Sequence, residues 1–436
     1  TALDAVTGIQ LRRDLAVQTK ALAQFVQEFL IYIIRLNRHP AFPFPCLPYL
    51  YEYILLLSCI TSVFSSDFFH RIAEDDGLSN RRCFSVQQDK HGFMWISTKL
   101  GVDRFDGKNF RHYPLNLFPD QGYNRIGVNY LRCSPDSTLW VFSEAGLLFQ
   151  YDERKDEFEL IYAVRDFFNN HSIILNDVMF DSPETAFLST SKGVLKLNLP
   201  DRMALLLPGT EELSVNQVNK NDDRYYISTR DGLYISIFPQ TGPMEVRFRC
   251  LEGKNVLSTY VDMENRRILI GTLDAGLYSR SLEMEDLQKL PLPITKPIRS
   301  IVSYTLDKIA VGVDLEGVFV IDKANLTIDK QYAYNETSST SIFTNNVRGL
   351  FVDNQFNLWV ATYHGGISFQ DSYKLNFDYF QHRTGDSQSI GNDVVNAVLE
   401  DSSGNFWFGT NSGVSMLSVH THTWTHYFNR NISGEK

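Results

Sequence analysis

The chain has 436 residues, 43% of them hydrophobic and 21% charged, with 41 Lys and Arg against 51 Asp and Glu for a formal charge of −10. That balance excludes bulk disorder and a basic polyanion-binding protein, and this much apolar material can bury a large core. Five cysteines without a C-x-x-C spacing exclude a thiolate metal site and a disulfide scaffold, while 31 Phe and 21 Tyr favour strands over helices.

In chain order, residues 9–36 read as an amphipathic helix, with Leu15, Leu22, Phe25, Val26, Phe29, Leu30 and Ile33 recurring mostly at three- and four-residue steps. Four prolines within residues 40–48 stop it. Residues 53–64 are mostly apolar but fall short of the ~20 needed to span a bilayer. Their length suits the apolar heart of a secretory signal, with Ser62, Ser65 and Ser66 available for cleavage ahead of Asp67. Residues 1–66 are therefore expected to be a leader, lost on export or packed loosely. Cys83, Cys133 and Cys250 then remain, an odd number, so at least one is a free thiol with a packing role.

From there one grammar repeats. A β-rich stretch ends in Asp (Asp89, Asp353, Asp401), a tight turn follows, and an alternating strand passes through Trp95, Trp359 or Trp407. A Thr-x-x-Gly turn comes next, and the marker glycines are Gly101, Gly146, Gly193, Gly232, Gly276, Gly317, Gly365 and Gly413. Each marks a hairpin that needs positive φ. Eight units of four short strands at a period of ~40–50 residues predict an all-β protein, a β-propeller. Residues 68–72 resemble a fourth strand without its first three, a clasp for the last blade. The expected layout is a leader over 1–66, a seven-bladed ring over 67–375, and over 376–436 the first blade of a truncated second propeller. One eight-bladed ring is the alternative.

The run Gly77-Leu78-Ser79-Asn80, then Asp89-x-x-Gly92-x-x-Trp95-Ile96-x-Thr98-x-x-Gly101-Val102-Asp103-Arg104-Phe105-Asp106-Gly107 and Phe110, resembles the regulator-propeller repeat of sensors in hybrid two-component systems, common in gut Bacteroidetes. The likeness is close in the first, seventh and eighth units. It implies a periplasmic, non-catalytic module of an inner-membrane protein, binding oligosaccharides from glycan breakdown to control a histidine kinase. It further implies a link to the membrane through downstream regions, a homodimer in the full-length receptor, and no nucleic acid bound by this segment. A propeller enzyme (glycan lyase or hydrolase) and a protein-interaction platform are the rival readings.

No catalytic or nucleotide motif stands out, and no cofactor or metal is implied. The recurring Asp residues read as turn formers and the recurring Trp residues as core between blades. His420, His422 and His426 read as strand histidines, and Trp424 as a residue outside the repeat register. Sugar recognition needs aromatic faces and planar polar groups on one rim. The Thr-x-x-Gly turns and the entries to each first strand share a face, which collects Arg82, Lys99, Arg230, Asp231, Tyr363 and His364, with Arg81, Asp274 and Asp314 nearby. The connection over 117–125 adds Phe118 and Tyr123. The charges of Arg82, Lys99 and Arg230 favour an acidic sugar.

Overall fold

A computed structural model describes residues 69–115, 127–170, 172–238, 243–283, 286–336, 338, 341–371, 380–383, 385–418, 421 and 423–427. The leader lies outside these. Among the described residues no helix is long and apolar enough to cross a membrane. The described residues fold into eight four-stranded antiparallel sheets, each a meander in sequence order except one. Blade 1 is typical: Cys83–Gln88, Met94–Thr98, Gly101–Phe105 and Phe110–Tyr113 run from its inner to its outer edge. The second strand is the most buried, as in Met94–Thr98 and Leu358–Thr362, because it meets a neighbouring blade on each face.

Seven sheets close a ring. Each inner strand lies against the next, and that of blade 7 (Val347–Val352) returns to that of blade 1. Blade 7 is the exception in strand order. Its outer strand is Phe69–Ile72, paired antiparallel with Ile367–Gln370 from Phe69 opposite Gln370 to Ile72 opposite Ile367. The chain's start thus clasps the ring shut, as the sequence predicts, although Phe68 itself falls outside the described residues. Closure at seven rather than eight blades rests on Val347–Val352 of blade 7 meeting Cys83–Gln88 of blade 1, while the last sheet makes no comparable strand contact with the ring among the described residues. Its inner strand Val395–Glu400 is exposed throughout, and its small core of Ile390, Phe408 and Leu417 takes in Trp424. Trp424 is therefore a packed residue of that blade rather than an outlying one.

Turn chemistry explains the repeat. Asp89, Asp353 and Asp401 each accept two turn amides on one oxygen and an indole N–H on the other: Trp95 at 2.7 Å, Trp359 at 2.8 Å and Trp407 at 2.9 Å. These contacts, Trp407 foremost and then Asn405, hold the Asp401 carboxyl down at about 2. A group whose pKa is lower folded than unfolded stabilises most above its unfolded value of about 4, and that contribution fades as pH falls through about 2. A Trp407→Phe variant is expected to raise the Asp401 midpoint in an NMR titration; an unchanged midpoint would show that the indole does not hold it.

At the other end of the second strand, in six of the eight described sheets, a Thr hydroxyl donates to the carbonyl of the turn glycine, as Thr190 to Gly193 and Thr229 to Gly232, both at 2.8 Å. The seventh unit corrects the sequence reading. Thr362 bonds Gly366, not Gly365, and Gly366 is the residue at positive φ (+74°). The turn there is one residue longer, like that from Thr272 to Gly276. A Cβ on Gly366 would collide with the Ile72 carbonyl of the clasp. Gly366→Ala is expected to cost about 1–3 kcal/mol in denaturant unfolding, whereas Gly365→Ala, free of a left-handed φ, should cost less.

Burial accounts for the thiols. Cys83, Cys133 and Cys250 are all free, and burial raises the thiols of Cys133 and Cys250 to about 11 and that of Cys83 well above its ordinary value. They pack; they are not poised as nucleophiles.

Candidate site at the mouth of the ring

One hydrogen bond sets the rim in every blade. The amide of the residue entering the second hairpin turn donates to the carbonyl just ahead of the inner strand: Lys99 to Arg82, Glu144 to Val128, Ser191 to Ile174, Arg230 to Ser214, Leu273 to Asn255, Asp314 to Pro297 and Tyr363 to Asn346. Turn tips and strand entries therefore share one face, so each blade offers a variable turn residue beside its inner strand.

A second position varies with them. Six of the seven inner strands slip register near their start, leaving one residue out of the ladder: Phe84, Asn176, Asn216, Leu257, Arg299 and Arg348. Such bulges eject a side chain from the pairing and gather at functional rims. Blade 2 keeps register and places Tyr130 there. Asn176 and Asn216 are spent on stitching to the next blade, through the Val215 carbonyl at 2.6 Å and the Val256 carbonyl at 2.7 Å. Leu257 of blade 5 is apolar, and Arg299, Arg348, Phe84 and Tyr130 form a polar and aromatic arc over blades 6, 7, 1 and 2.

In that arc Arg299 donates to one Asp314 oxygen at 3.4 Å, and Arg348 forms an ion pair with the same oxygen at 3.5 Å. The Arg348 guanidinium lies 4.7 Å from the Tyr363 ring centre and that of Arg82 5.4 Å. Phe84 links Tyr363 (6.3 Å) to Tyr130 (6.2 Å), and His364 sits edge-on to Tyr363 at 4.5 Å. Across the mouth, Glu144 of blade 2 senses the charges of Arg299 and Arg348, while desolvation raises its carboxyl above the usual range. Burial, then the nearby Glu144 carboxylate, pushes the Tyr130 phenol up to about 12. The arrangement can hold a polar ligand with anionic character against an aromatic wall.

Of the residues expected from sequence, Arg82, Tyr363 and His364 come together here, and Lys99 is tied to Arg82 through the backbone. Tyr363 is half-buried with guanidinium groups over its ring, so it offers less open stacking surface than expected. Arg230 and Asp231 sit on blade 4, remote in ring order, and Asp231 is engaged by Arg249 at 2.5 Å and the Gly253 amide at 2.7 Å. Phe118, Tyr123, His420 and His422 lie outside the described residues. His426 is held between Ser415 and the Ser387 carbonyl, and among the described residues no cluster suits a metal ion. Arg299, Arg348 and Tyr130 escaped the sequence reading. Their signal is register: Ile298-Arg299-Ser300-Ile301 and Val347-Arg348-Gly349-Leu350 align with Val215-Asn216-Gln217-Val218.

A groove of about 350 Å³ elsewhere, lined by Arg111, His112, Tyr113, Asp156 and Phe158, is a strut between blades 1 and 2. Asp156 there accepts from Tyr113 at 2.6 Å, Tyr151 at 2.5 Å and two arginines, which uses its oxygens within the fold.

The fold and its repeated turns define a β-propeller, with the candidate site on its Thr-x-x-Gly face. Residues 389–412 match the family model of the two component regulator propeller, the repeat that the sequence resembles. Among solved structures, the chain is similar to the extracellular domain of a hybrid two component system from B. thetaiotaomicron, at 20% identity and TM-score 0.62 over 83% of this chain and 55% of that one. A second such domain from the same organism matches at 17% identity and TM-score 0.58, over 83% and 54%. The chain thus spans about half the length of these domains. Virginiamycin B lyase from Staphylococcus aureus shares the fold at 11% identity and TM-score 0.55, over 70% of this chain and 99% of that enzyme. No curated protein matches the chain in sequence.

Proposed function

We propose that the chain is the non-catalytic sensing part of an extracytoplasmic two-component receptor and binds an oligosaccharide at the mouth of its ring. The observation that carries this reading is the asymmetry of the rim. Blades 3 and 4 spend their bulge residues on stitching, while blades 6, 7, 1 and 2 leave Arg299, Arg348, Tyr363, Arg82 and Tyr130 around one opening. A seven-fold scaffold needs no such asymmetry; an asymmetric ligand does. The regulator-propeller repeat and the likeness to sensor domains supply the context.

In this reading the protein works in the periplasm as an ectodomain. The membrane link runs through downstream regions to a kinase, the full-length receptor forms a homodimer, and this segment binds no nucleic acid. The last sheet, with its bare inner strand, is the first blade of a second propeller. A thermal-shift screen against defined oligosaccharides is expected to give a ligand that raises the melting temperature, because it binds only the native state. Chromatography of the recovered sugar is expected to find it intact. Release of products would overturn the non-catalytic reading, and unaltered binding by folded Arg82→Ala and Tyr363→Ala variants would move the site away from the mouth.

A further inference from the structure

We propose that the mouth selects a sugar bearing a carboxylate, a uronate, which takes the Arg299 and Arg348 guanidinium groups from Asp314. This rests on the mouth being the ligand site and names the class of ligand it takes. Two arginines share a single oxygen of Asp314 at 3.4 and 3.5 Å, long beside the ~2.7–2.9 Å of a well-formed charge-assisted bond. The Nε of each arginine is buried and has no partner among the described residues. Both side chains keep some exposure, 33% for Arg299 and 26% for Arg348, so a ligand can reach them in a partly desolvated setting. A carboxylate has two coplanar oxygens that match the guanidinium fork, whereas one oxygen of a fixed aspartate cannot serve two forks well.

Asp314 behaves as an internal stand-in. Its backbone is pinned by the Pro297 carbonyl and bridged to Asn346, and the next residue, Leu315, is exposed at φ +69°. A bulky residue held in the left-handed region marks a turn whose geometry the surroundings impose. Asp314 therefore cannot follow the guanidinium groups outward, and a mobile carboxylate can. Arg82 adds a third positive charge beside Tyr363, next to the two guanidinium groups that share Asp314.

Calorimetric titration of the whole chain tests this, with trigalacturonate and a glucuronate-ended disaccharide as probes, each beside its methyl ester and beside a sulfated disaccharide. The acid forms are expected to bind roughly tenfold or more tightly than their esters, and the preference should shrink as salt rises. Arg299→Ala and Arg348→Ala should abolish it. Asp314→Asn should tighten acid binding several-fold at an unchanged melting temperature, a gain that a merely structural aspartate would not give. Equal binding of acid and ester, no binding of either uronate at millimolar concentration, or an Asp314→Asn variant with unaltered acid affinity each overturns the proposal. Preference for the sulfated sugar overturns it in favour of a tetrahedral oxyanion. If neutral esters bind and Arg82→Ala weakens them without any acid preference, the mouth stands as ligand site and only the class fails.

Discussion

A chain truncated through Ile72 is expected to lose its single cooperative unfolding transition and to aggregate. Three residues of the clasp carry this effect. Phe69 is 4% exposed and packs edge-on to Tyr332 at 4.9 Å, Ile72 is 8% exposed, and the Arg71 guanidinium covers Phe343 at 3.7 Å. Burying a side chain such as Phe or Ile stabilises by about 1.5–3 kcal/mol, so the apolar loss alone is a large part of a domain's margin. Worse, the Ile367–Gln370 strand becomes an edge, a template for pairing with another chain. Phe69→Ala is the milder test, at about 3–5 kcal/mol in denaturant unfolding. Light scattering on heating reads the aggregation; a truncated protein that melts like the parent would show that the ring does not depend on its clasp.

The second large effect lies in blade 1. Trp95 is fully buried, within 4.7–5.8 Å of the rings of Tyr113, Tyr151 and Phe158, and Trp95→Ala is expected to cost about 3–5 kcal/mol. Trp95→Phe keeps an aromatic body but strands one oxygen of Asp89, for about 1–2 kcal/mol. Trp407 holds the equivalent place in the last sheet, half-buried and, among the described aromatic rings, stacked on Tyr427 alone, so Trp407→Ala should cost far less. Equal losses at the two positions would mean that the shared motif, rather than the neighbouring blade, sets the energy.

Part of the candidate rim is legible along the chain. The Thr-x-x-Gly rule put Arg82, Lys99, Tyr363 and His364 on one rim because the turn is local: its hydroxyl, its glycine and its amide all lie within a few residues. The rule also gathered Arg230 and Asp231, which share the turn position but not the neighbourhood, since a repeat says nothing of which blades face one another across an opening. Arg299 and Arg348 were hidden for the opposite reason. Within a strand, an arginine between apolar residues reads as an outward side chain, and only the slipped pairing with the second strand turns it out of the ladder.

By itself the sequence determined what depends on neighbours along the chain: the Asp and Trp turn contacts, the hairpin glycines, the four-strand period, and the clasp, which reads as a strand lacking three partners. Tertiary structure decided what depends on closure. Seven blades rather than eight follow from Phe69–Ile72 reaching Ile367–Gln370. The candidate site follows as well, because only a closed ring lets the charges of Arg299 and Arg348 on blades 6 and 7 act on Glu144 of blade 2. Charge acts through space, and the residues that share it here are separated by some two hundred positions of chain.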